Sequence, residues 1–575
     1  MSQPRNPMSI PETVSFLEQL YLGRFRWDLL RPFPRQDEAD RKIGDDLARS
    51  LRELLTGRVD SDAVDRTGRL PDGLLDALQE HGFLKARVPT ELGGLAVSQF
   101  TMFRLIEQAA QVSIPAALTL GIENSVGVGP MLPYLPEGDL RDLIAARLRQ
   151  GTISGIADTE PEGAANLARF TTATQVGDEY RINGEKIHVG NAPIAELLIV
   201  SATVREDDGE HRRLFVVDTD SAGVTHTARH EFMGVKGFPN GGVRFDDVAV
   251  PVTRMVRTPP RDDIRLTLEA STMIVAGRLF MIVAPSLAIA RQCVDWSCRF
   301  VSERKIDSRP LSEYEEIQRR IAESAADVFA IEAVAEWSLL SPTFADGGNP
   351  VFEQNAAKNI GSVIAGRVVD RTMSILAGEG YETASSKAER GSARRFPLER
   401  ALRDVRNFRI SGGVEFQLDY WTAEKAIFTY YHPDPDNLAE IEANRVEFDG
   451  LTGTDLSDRN EQHLRAAARA VRELSRICLS VARRHPDPAT LAAHERPLIL
   501  VSELANELLT VALVLAKAAT LVADGHPSAD DLADVYCTSA FHRVAYLRDQ
   551  LAEQDGPHFG RLAATVLRPA EENRS

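Results

Sequence analysis

Residues 151–191, GTISGIADTEPEGAANLARFTTATQVGDEYRINGEKIHVGN, constrain the fold more than any other stretch of this 575-residue chain. In the second half, apolar and polar residues alternate on both sides of Asn183-Gly184, a pair that accepts the positive φ of a tight turn. This pattern predicts a β-hairpin. The first half places Thr159 and Glu160 among small residues, and its exposed N–H groups suit either an ordinary turn or a cradle for a polar ligand.

Length, charge and cysteine content bound the class of protein. A chain this long is expected to fold into two to four domains. Its 66 basic and 84 acidic residues give a net charge of −18, which opposes general binding to nucleic acid or to an anionic membrane. Four scattered cysteines predict neither a disulfide framework nor a metal site. With no apolar signal segment at the start, and polar residues within the apolar run 498–522, we expect a cytoplasmic protein with a core helix at that run.

Changes in the hydrophobic period divide the chain. Apolar residues recur at helical spacing before and after a region of short β-branched runs, and proline, glycine and acidic residues mark a linker beyond the second helical region. The predicted class is α+β. The expected regions are an N-terminal extension (1–37), a helical domain (38–150), a middle β domain (151–260), a helical bundle (261–428), a linker (429–458) and a C-terminal helical extension (459–575).

The order of short motifs resembles the acyl-CoA dehydrogenase family. TEP, TTA, NGEK and GNA follow one another within 159–192, and MGVKGFPNGGVRFDDVAVP closes the β domain. The segments ERPLILVSELANELL and DGHPSADDL resemble the extension of the long subgroup typified by the very-long-chain enzyme. The resemblance implies that family's fold, with a β-barrel-like middle domain, and FAD bound between domains. It also implies an acyl thioester substrate, carried by CoA or an acyl carrier protein, and a homodimer.

The same resemblance identifies where the catalytic base is expected. In the family a carboxylate removes the α proton of the thioester while the β hydrogen leaves as hydride to the flavin. The usual glutamate position, after the RDVR sequence, is Gly412, and the alternative position is Gly277, beside Arg278. Neither position carries a carboxylate in this chain.

Five other side chains are candidates for the missing function. Three are carboxylates near the expected acyl pocket or the cofactor motifs, and a solvated or salt-bridged acid is the alternative for each. The histidine suits a flavin contact or an acid/base near neutral pH, or else packing in a vacant flavin niche. The arginine suits either a contact to a thioester oxygen or an ion pair inside the bundle. These candidates are Glu123, His188, Arg278, Glu379 and Glu415.

Several flavin contacts implied by the resemblance are altered. Thr159 is retained, as is Arg304, where the family sends an arginine to the FAD diphosphate of the neighbouring subunit. His188 replaces the tryptophan that packs on the isoalloxazine, and Gly190 replaces a threonine or serine. An insertion also falls within 382–396. The predicted cofactor-binding positions are Thr159, Gly163, His188, Gly190, Arg304 and Gly378.

Two classes of function remain open on the sequence. The first is a flavoprotein oxidoreductase acting on an acyl thioester with an altered active site. The alternative is an FAD-free member of the fold, serving as a partner subunit or scaffold, or as a non-redox enzyme acting on a thioester. Members of the long subgroup can associate with membranes through the start of their extension, but here that segment, 434–450, is acidic.

Overall fold

The computed structural model describes residues 15–166, 168–256, 276–342, 351–432, 451, 455–552 and 559–572. Helices form three regions and one sheet forms the fourth. The acidic segment 434–450 lies outside the described residues.

Most of the helices before the sheet pack into the same hydrophobic core as the bundle, whereas the last two pack in a second core against the sheet. The first described helix starts with a reciprocal cap, because Glu18 N donates to Ser15 Oγ and Ser15 N donates to the Glu18 carboxylate. Phe16 is fully buried and meets Trp337 of the bundle edge-on. These helices are α1 (Phe16–Tyr21), α2 (Glu38–Arg58), α3 (Ser61–Thr67), α4 (Leu74–Glu80), α5 (Gln99–Val112), α6 (Ile114–Glu123), α7 (Val128–Met131) and α8 (Asp139–Gln150).

An eight-stranded sheet forms the middle domain, with strand order β6-β7-β3-β2-β4-β5-β8 and β1 parallel to β4. β6 and β8 are the edges, so the described strands form an open sheet. β2 and β3 pair antiparallel through a turn at residues 177–178, so the turn predicted at Asn183-Gly184 is wrong. β3 runs through that pair to Gly190, and the φ of 149° at Gly184 accompanies a change of register in the pairing with β7. The strands are β1 (Ser154–Ala157), β2 (Thr172–Val176), β3 (Glu179–Gly190), β4 (Leu197–Glu206), β5 (Gly209–Asp218), β6 (Val224–Arg229), β7 (Asn240–Pro251) and β8 (Met255–Val256).

Strand β4 shows why the sheet sits against the helical domain. Successive side chains of a strand point to opposite faces. Leu198 and Val200 join the core within the sheet, whereas Leu197 and Ile199 pack in a second core with Val128 and other residues of α7 and α8. Because both faces are covered, the strand is apolar throughout its first half.

The bundle and the extension share one core. A two-stranded hairpin, β9 (Lys305–Ile306) and β10 (Arg309–Pro310), separates the first two bundle helices. The helices are α9 (Ala284–Glu303), α10 (Glu315–Leu340), α11 (Val351–Leu376), α12 (Gly378–Tyr381), α13 (Ala384–Glu389), α14 (Leu398–Phe408), α15 (Glu415–Tyr430), α16 (Asp458–Arg484), α17 (Pro488–Ala492), α18 (Glu495–Ala523), α19 (Ser528–Ala552) and α20 (Phe559–Glu572).

Among the residues that the structure describes, two helical stretches are long and apolar enough to cross a membrane. They are Ala276–Glu303 and Glu495–Ala523, and 72% and 83% of their most apolar windows are buried inside the protein. Such burial is expected of core helices. The second stretch contains the run 498–522, for which the sequence predicts a core helix.

Candidate active site

The loop between β1 and β2, which carries Thr159, is anchored by a buried ion pair. Lys186 Nζ on β3 donates to Glu160 Oε1 at 2.7 Å, and the two side chains are 0% and 1% exposed. Backbone N–H groups of Phe170 and Thr171 donate to the same carboxylate at 2.7 and 2.9 Å. Although burial alone would raise the pKa of Glu160, Lys186 and these N–H donors hold that pKa below its ordinary value. The loop between β1 and β2 is therefore held in place by a buried side chain of β3.

Thr159 lies beside this pair with its side chain half-buried. Its carbonyl oxygen accepts a hydrogen bond from Ile187 N at 2.8 Å, so the loop runs alongside β3. Among the residues that the structure describes, the Thr159 hydroxyl makes no hydrogen bond. Further along the loop, Gly163 has a φ of 108° and no atom within 4 Å of a β-carbon position. A free hydroxyl and an open backbone suit the polar edge of a ligand.

The end of β3 meets the helical domain at Gly190. A β carbon at this position would lie 2.3 Å from Ile122 Cδ1 and 3.0 Å from Phe238 Cζ. Apolar groups of α6 and of the segment before β7 therefore fill the room that a threonine or serine side chain would need. Gly190 therefore allows α6 to pack closely against the end of β3 and offers no hydroxyl.

Glu123, at the end of α6, joins the helical domain to the sheet. Its Oε1 accepts hydrogen bonds from Ser154 N at 2.8 Å and Asn191 Nδ2 at 3.1 Å, and its Oε2 accepts one from Ser154 Oγ at 3.2 Å. Burial raises the pKa of Glu123 to about 8, although these donors act in the opposite direction. With both oxygens engaged, the carboxyl group suits a structural role better than that of the catalytic base.

We expect the stability of the protein to fall as pH rises from about 6.5 to about 8. Burial raises the pKa of Glu123 and Glu353 to about 8 and that of Asp419 to about 7. Since the folded protein holds these protons more tightly than the unfolded chain, the stabilisation is complete below the unfolded pKa values and is lost as pH passes the folded ones. The loss is roughly 1–2 kcal/mol per group across this range, and calorimetric melting temperatures measure it.

The Glu123→Gln variant provides the control for this pH dependence. Glutamine keeps hydrogen bonds to Ser154 and Asn191 but has no titrating proton, so its melting temperature should fall less steeply over the same range. Parallel profiles for the variant and the natural protein would show that Glu123 does not contribute to the pH dependence.

His188 occupies a bulge of β3. The pairing with β7 changes register between Lys186 and Val189, and His188 has a φ of 55°, which non-glycine residues rarely adopt. Its exposed ring meets His230 edge-on, with 4.8 Å between centroids, and lies 6.0 Å from Phe232. Burial of part of the ring and the nearby His230 lower the pKa of His188, so the ring is neutral at pH 7. The structure thus places His188 in an aromatic cluster that faces solvent.

The two expected positions of the base lie next to the same side chain, Arg278. Its Nε donates to the carbonyl oxygen of Gly412 at 2.7 Å, and its Nη1 donates to Asn355 Oδ1. Gly277 precedes it in the chain. Burial lowers the pKa of Arg278 to about 10, and within the described parts of the chain no carboxylate forms a salt bridge with it. The site therefore presents a cation where the family resemblance leads one to expect an acid.

Gly412 adopts a conformation that favours glycine. Its φ is 69°, and a β carbon there would lie 2.9 Å from Ile282 Cδ1 and 3.3 Å from Arg278 Cγ. A side chain at this position therefore requires the end of Ile282 to move.

A second buried cation, Lys358 on α11, holds the same loop. Its Nζ donates to the carbonyl oxygen of Gly413 at 2.6 Å, and burial lowers its pKa to about 8. Glu415, the first residue of α15, accepts a hydrogen bond from Arg409 Nη2 at 2.6 Å, so this candidate base is ion-paired. The sequence analysis did not find Lys358, because helical periodicity alone does not distinguish a buried lysine from a solvated one.

Glu379 lies between two arginines. Arg304 Nη1 is 3.7 Å from Glu379 Oε1, and Arg394, from the predicted insertion, donates to both carboxylate oxygens at 3.3 Å. Arg394 also pairs with Glu303 at 2.7 Å, and both guanidinium groups lie 5.6 Å from the ring centroid of Phe300. Two cations thus face two carboxylates where the resemblance expects a diphosphate ligand. Sequence reasoning missed Arg394, since nothing in the insertion indicates which of its arginines folds back.

The predicted cofactor positions fall into two groups. Thr159, Gly163, His188 and Gly190 flank β3, whereas Arg304 and Gly378 lie at the ends of α9 and α11. No atom lies within 4 Å of a β-carbon position at Gly378. The resemblance assigns Arg304 to the FAD diphosphate of a neighbouring subunit, so a single chain is not expected to bring Arg304 to the residues of β3.

Comparison with known proteins agrees with this architecture. Three domain families match the chain: the acyl-CoA dehydrogenase N-terminal domain at residues 44–137, the middle domain at 155–248 and the C-terminal domain at 270–418. The chain belongs to the acyl-CoA dehydrogenase family. This membership confirms the predicted family and its α+β fold, and the family binds FAD.

Two relatives indicate how far the similarity reaches. The probable acyl-CoA dehydrogenase FadE10 of Mycobacterium tuberculosis is 32% identical over 422 residues, which span 72% of this chain but only 63% of that protein. The mitochondrial very long-chain specific acyl-CoA dehydrogenase of Bos taurus is 24% identical over 92% of this chain and 83% of its own length. The second match includes the C-terminal extension, as the predicted long subgroup requires.

A solved structure shares the whole fold. An acyl-CoA dehydrogenase of Bacillus anthracis, complexed with FAD, superposes with a TM-score of 0.75 over 96% of this chain and 94% of its own, at 20% identity. At this identity the likeness establishes the fold alone.

The residues around β3 fit the ring of a flavin better than the residues around Arg304 fit its diphosphate. Thr159 has an unused hydroxyl on an anchored loop, and the backbone at Gly163 is open. In contrast, Glu379 already neutralises Arg304. The cradle is therefore suited to FAD, with weakened diphosphate contacts.

Proposed function

We propose that the protein is an FAD-dependent oxidoreductase that acts on an acyl thioester without a glutamate at either usual base position. The observation that carries this proposal is the contact between Arg278 and the carbonyl oxygen of Gly412. This contact holds the loop that carries the usual base position against the helical segment that carries the alternative base position. The family uses the surrounding fold for this chemistry. The arrangement of the chain around the two usual base positions is thus retained, although both positions, 277 and 412, carry glycine.

Each part of this function, cofactor binding and charge stabilisation, would fall to particular residues. Thr159, Gly163 and Gly190 would receive the flavin ring, and Arg304 with Gly378 would contact the diphosphate across a homodimer. FAD held by these residues would supply hydride-acceptor chemistry. Arg278, cationic at neutral pH, would stabilise negative charge on the thioester oxygen. Glu123, Glu379 and Glu415 are each engaged in hydrogen bonds or ion pairs, which disfavours them as the base.

A second candidate function, flavin-free, rests on two observations. Ile122 and Phe238 fill the space that a side chain at position 190 would need, and Glu379 lies close enough to Arg304 to neutralise its charge. In that case the protein would serve as a partner subunit or scaffold, or would process a thioester without redox chemistry. For both candidates we propose a cytoplasmic protein and a substrate carried by CoA or an acyl carrier protein.

The visible absorption spectrum of the purified protein, before and after FAD is added, distinguishes the two functions. A flavin spectrum that bleaches anaerobically with an acyl-CoA supports the oxidoreductase. A colourless protein that stays colourless with excess FAD excludes it. Copurification of such a protein with an active relative would then support the partner role, and turnover of a thioester without colour would support non-redox catalysis.

Replacing Glu379 by glutamine should strengthen FAD binding by roughly threefold to tenfold. The change removes the carboxylate that neutralises Arg304, so this guanidinium group becomes available to a diphosphate, whereas Arg394 keeps its ion pair with Glu303. Quenching of FAD fluorescence measures the dissociation constant directly and does not depend on turnover.

Glu382→Gln is a matched control for this variant. Its side chain is as exposed as that of Glu379, 24%, and pairs with Arg390 on the same insertion. Its dissociation constant should equal that of the natural protein. Equal FAD affinities for all three proteins would show that Glu379 does not compete with the diphosphate.

A further inference from the structure

A cavity of about 270 Å³ lies between the helical domain and the sheet, apart from the loop of Gly412. It is lined by residues 65–69, at the end of α3 and beyond it, and by 229–232 and 235–238, between β6 and β7. A backbone bridge between Arg69 and Gly237 ties its two sides together. We call it the Arg69–Arg229 cavity.

The charge of this cavity is opposite to that of the whole protein. Of its two acidic residues, Asp65 is engaged by Arg403 through hydrogen bonds of 3.1 and 2.8 Å, which leaves Glu231 alone. No salt bridge is present at any of the cationic side chains of the lining, within the described ranges of the chain. These cations are Arg66, Arg69, Arg229 and Lys236. In a protein of net charge −18, this is a local excess of positive charge.

Hydrogen bonds to the backbone fix the side chain of Arg229 at the wall of this cavity. Its Nη2 donates to the carbonyl oxygens of Gly237 at 3.1 Å and Phe238 at 3.4 Å, so the guanidinium group is positioned rather than free in solvent. Burial lowers the pKa of Arg229, and the charge of Arg69 lowers it further. Two guanidinium groups that repel each other are stabilised when an oxyanion binds between them.

Aromatic rings form the remaining wall. Phe232 and Phe238 are partly buried in the lining, and His230 meets Phe232 edge-on with 6.1 Å between centroids. His230 in turn contacts His188, so the cavity adjoins the aromatic cluster of the β3 bulge. A ligand with an anionic group and a compact organic body matches such a lining.

We propose that the Arg69–Arg229 cavity binds the phosphoryl group of a small phosphorylated molecule. Paired guanidinium groups and a lysine suit a doubly charged oxyanion better than a single carboxylate. The group belongs either to a CoA thioester or to a separate phosphate ester. The site does not depend on flavin binding, so it stands whether or not the proposed oxidoreductase activity is found.

Calorimetric titration of the whole protein with inorganic pyrophosphate at low salt tests the site. We expect a dissociation constant on the order of 1 mM or lower, which weakens as salt is added. Arg69→Gln, which leaves the hydrogen bonds of Arg229 intact, and Arg229→Gln should each weaken binding roughly tenfold. Arg205→Gln is the control, because Arg205 is exposed on the same sheet and pairs with Glu210; it should bind as the natural protein does.

Competition identifies the source of the phosphoryl group. Displacement of pyrophosphate by CoA at similar concentration assigns the cavity to the substrate carrier, whereas displacement by ribose 5-phosphate but not CoA assigns it to a separate phosphate ester. Absence of pyrophosphate binding, or binding that both arginine variants retain at full strength, would overturn the proposal.

Discussion

Replacing Gly412 by glutamate is expected to raise the rate at which an acyl-CoA bleaches the FAD-loaded protein by ~10²-fold or more, the contribution of a positioned general base. A β carbon at this position would lie 3.7 Å from Arg278 Nε, so the cation would keep the new carboxylate ionised. The left-handed φ of Gly412 costs roughly 1–2 kcal/mol for any other residue, and Ile282 must shift. Anaerobic stopped-flow absorbance measures the bleaching rate.

Gly412→Gln separates the base from the conformational change. Glutamine has the same length and imposes the same strain at φ 69°, but it cannot remove a proton. The glutamine variant should bleach no faster than the natural protein. If the glutamate and glutamine variants bleach at the same rate, position 412 is not where the α proton is removed, and the alignment of this loop is wrong.

Replacing Lys186 by methionine is expected to destabilise the middle domain by about 3–5 kcal/mol, the cost of leaving one member of a buried ion pair uncompensated. Lys186 and Glu160 are 0% and 1% exposed, and the carboxylate also holds the backbone of Phe170 and Thr171. Hydrogen exchange of β3 amides should quicken accordingly, and the Thr159 loop should lose its fixed position. Calorimetry together with exchange measures both effects.

Two further variants test this explanation. Lys186→Met combined with Glu160→Gln removes both charges and should recover much of the lost stability. Arg181→Met, on the same strand, breaks an ion pair with Glu179 whose side chains are 36% and 39% exposed, and it should change stability by less than about 1 kcal/mol. Similar losses from Arg181→Met and Lys186→Met would exclude burial as the cause.

Under the proposed function, a base missing at position 412 and a weakened flavin site would affect different steps. The first would act on removal of the α proton, whereas Glu379 would act on affinity for FAD. The Gly412→Glu and Glu379→Gln variants therefore change different measurements, a bleaching rate and a dissociation constant. Used together, they show whether the protein is limited by chemistry or by cofactor binding.

The order of motifs was enough to predict the family and the α+β fold. The apolar run at 498–522 is a local pattern set by hydrophobicity, so the sequence was sufficient to predict its helix. The turn predicted at Asn183-Gly184 was wrong, because pairing with β2 and β7 carries β3 straight through that pair. The contacts of the candidate bases are different. Glu123, Glu379 and Glu415 look alike in sequence, and only their partners Ser154, Arg394 and Arg409 distinguish them.

The sequence by itself therefore determined which groups are present, and the tertiary structure decided which of them are free to act. The identity of Gly412 is a local fact, but its contact with Arg278 spans 134 positions of the chain. The filling of the space at Gly190 by Ile122, and the excess of cations in the Arg69–Arg229 cavity, also depend on segments distant in sequence. Because burial and charge pairing arise only when such segments pack together, no local pattern could have revealed them.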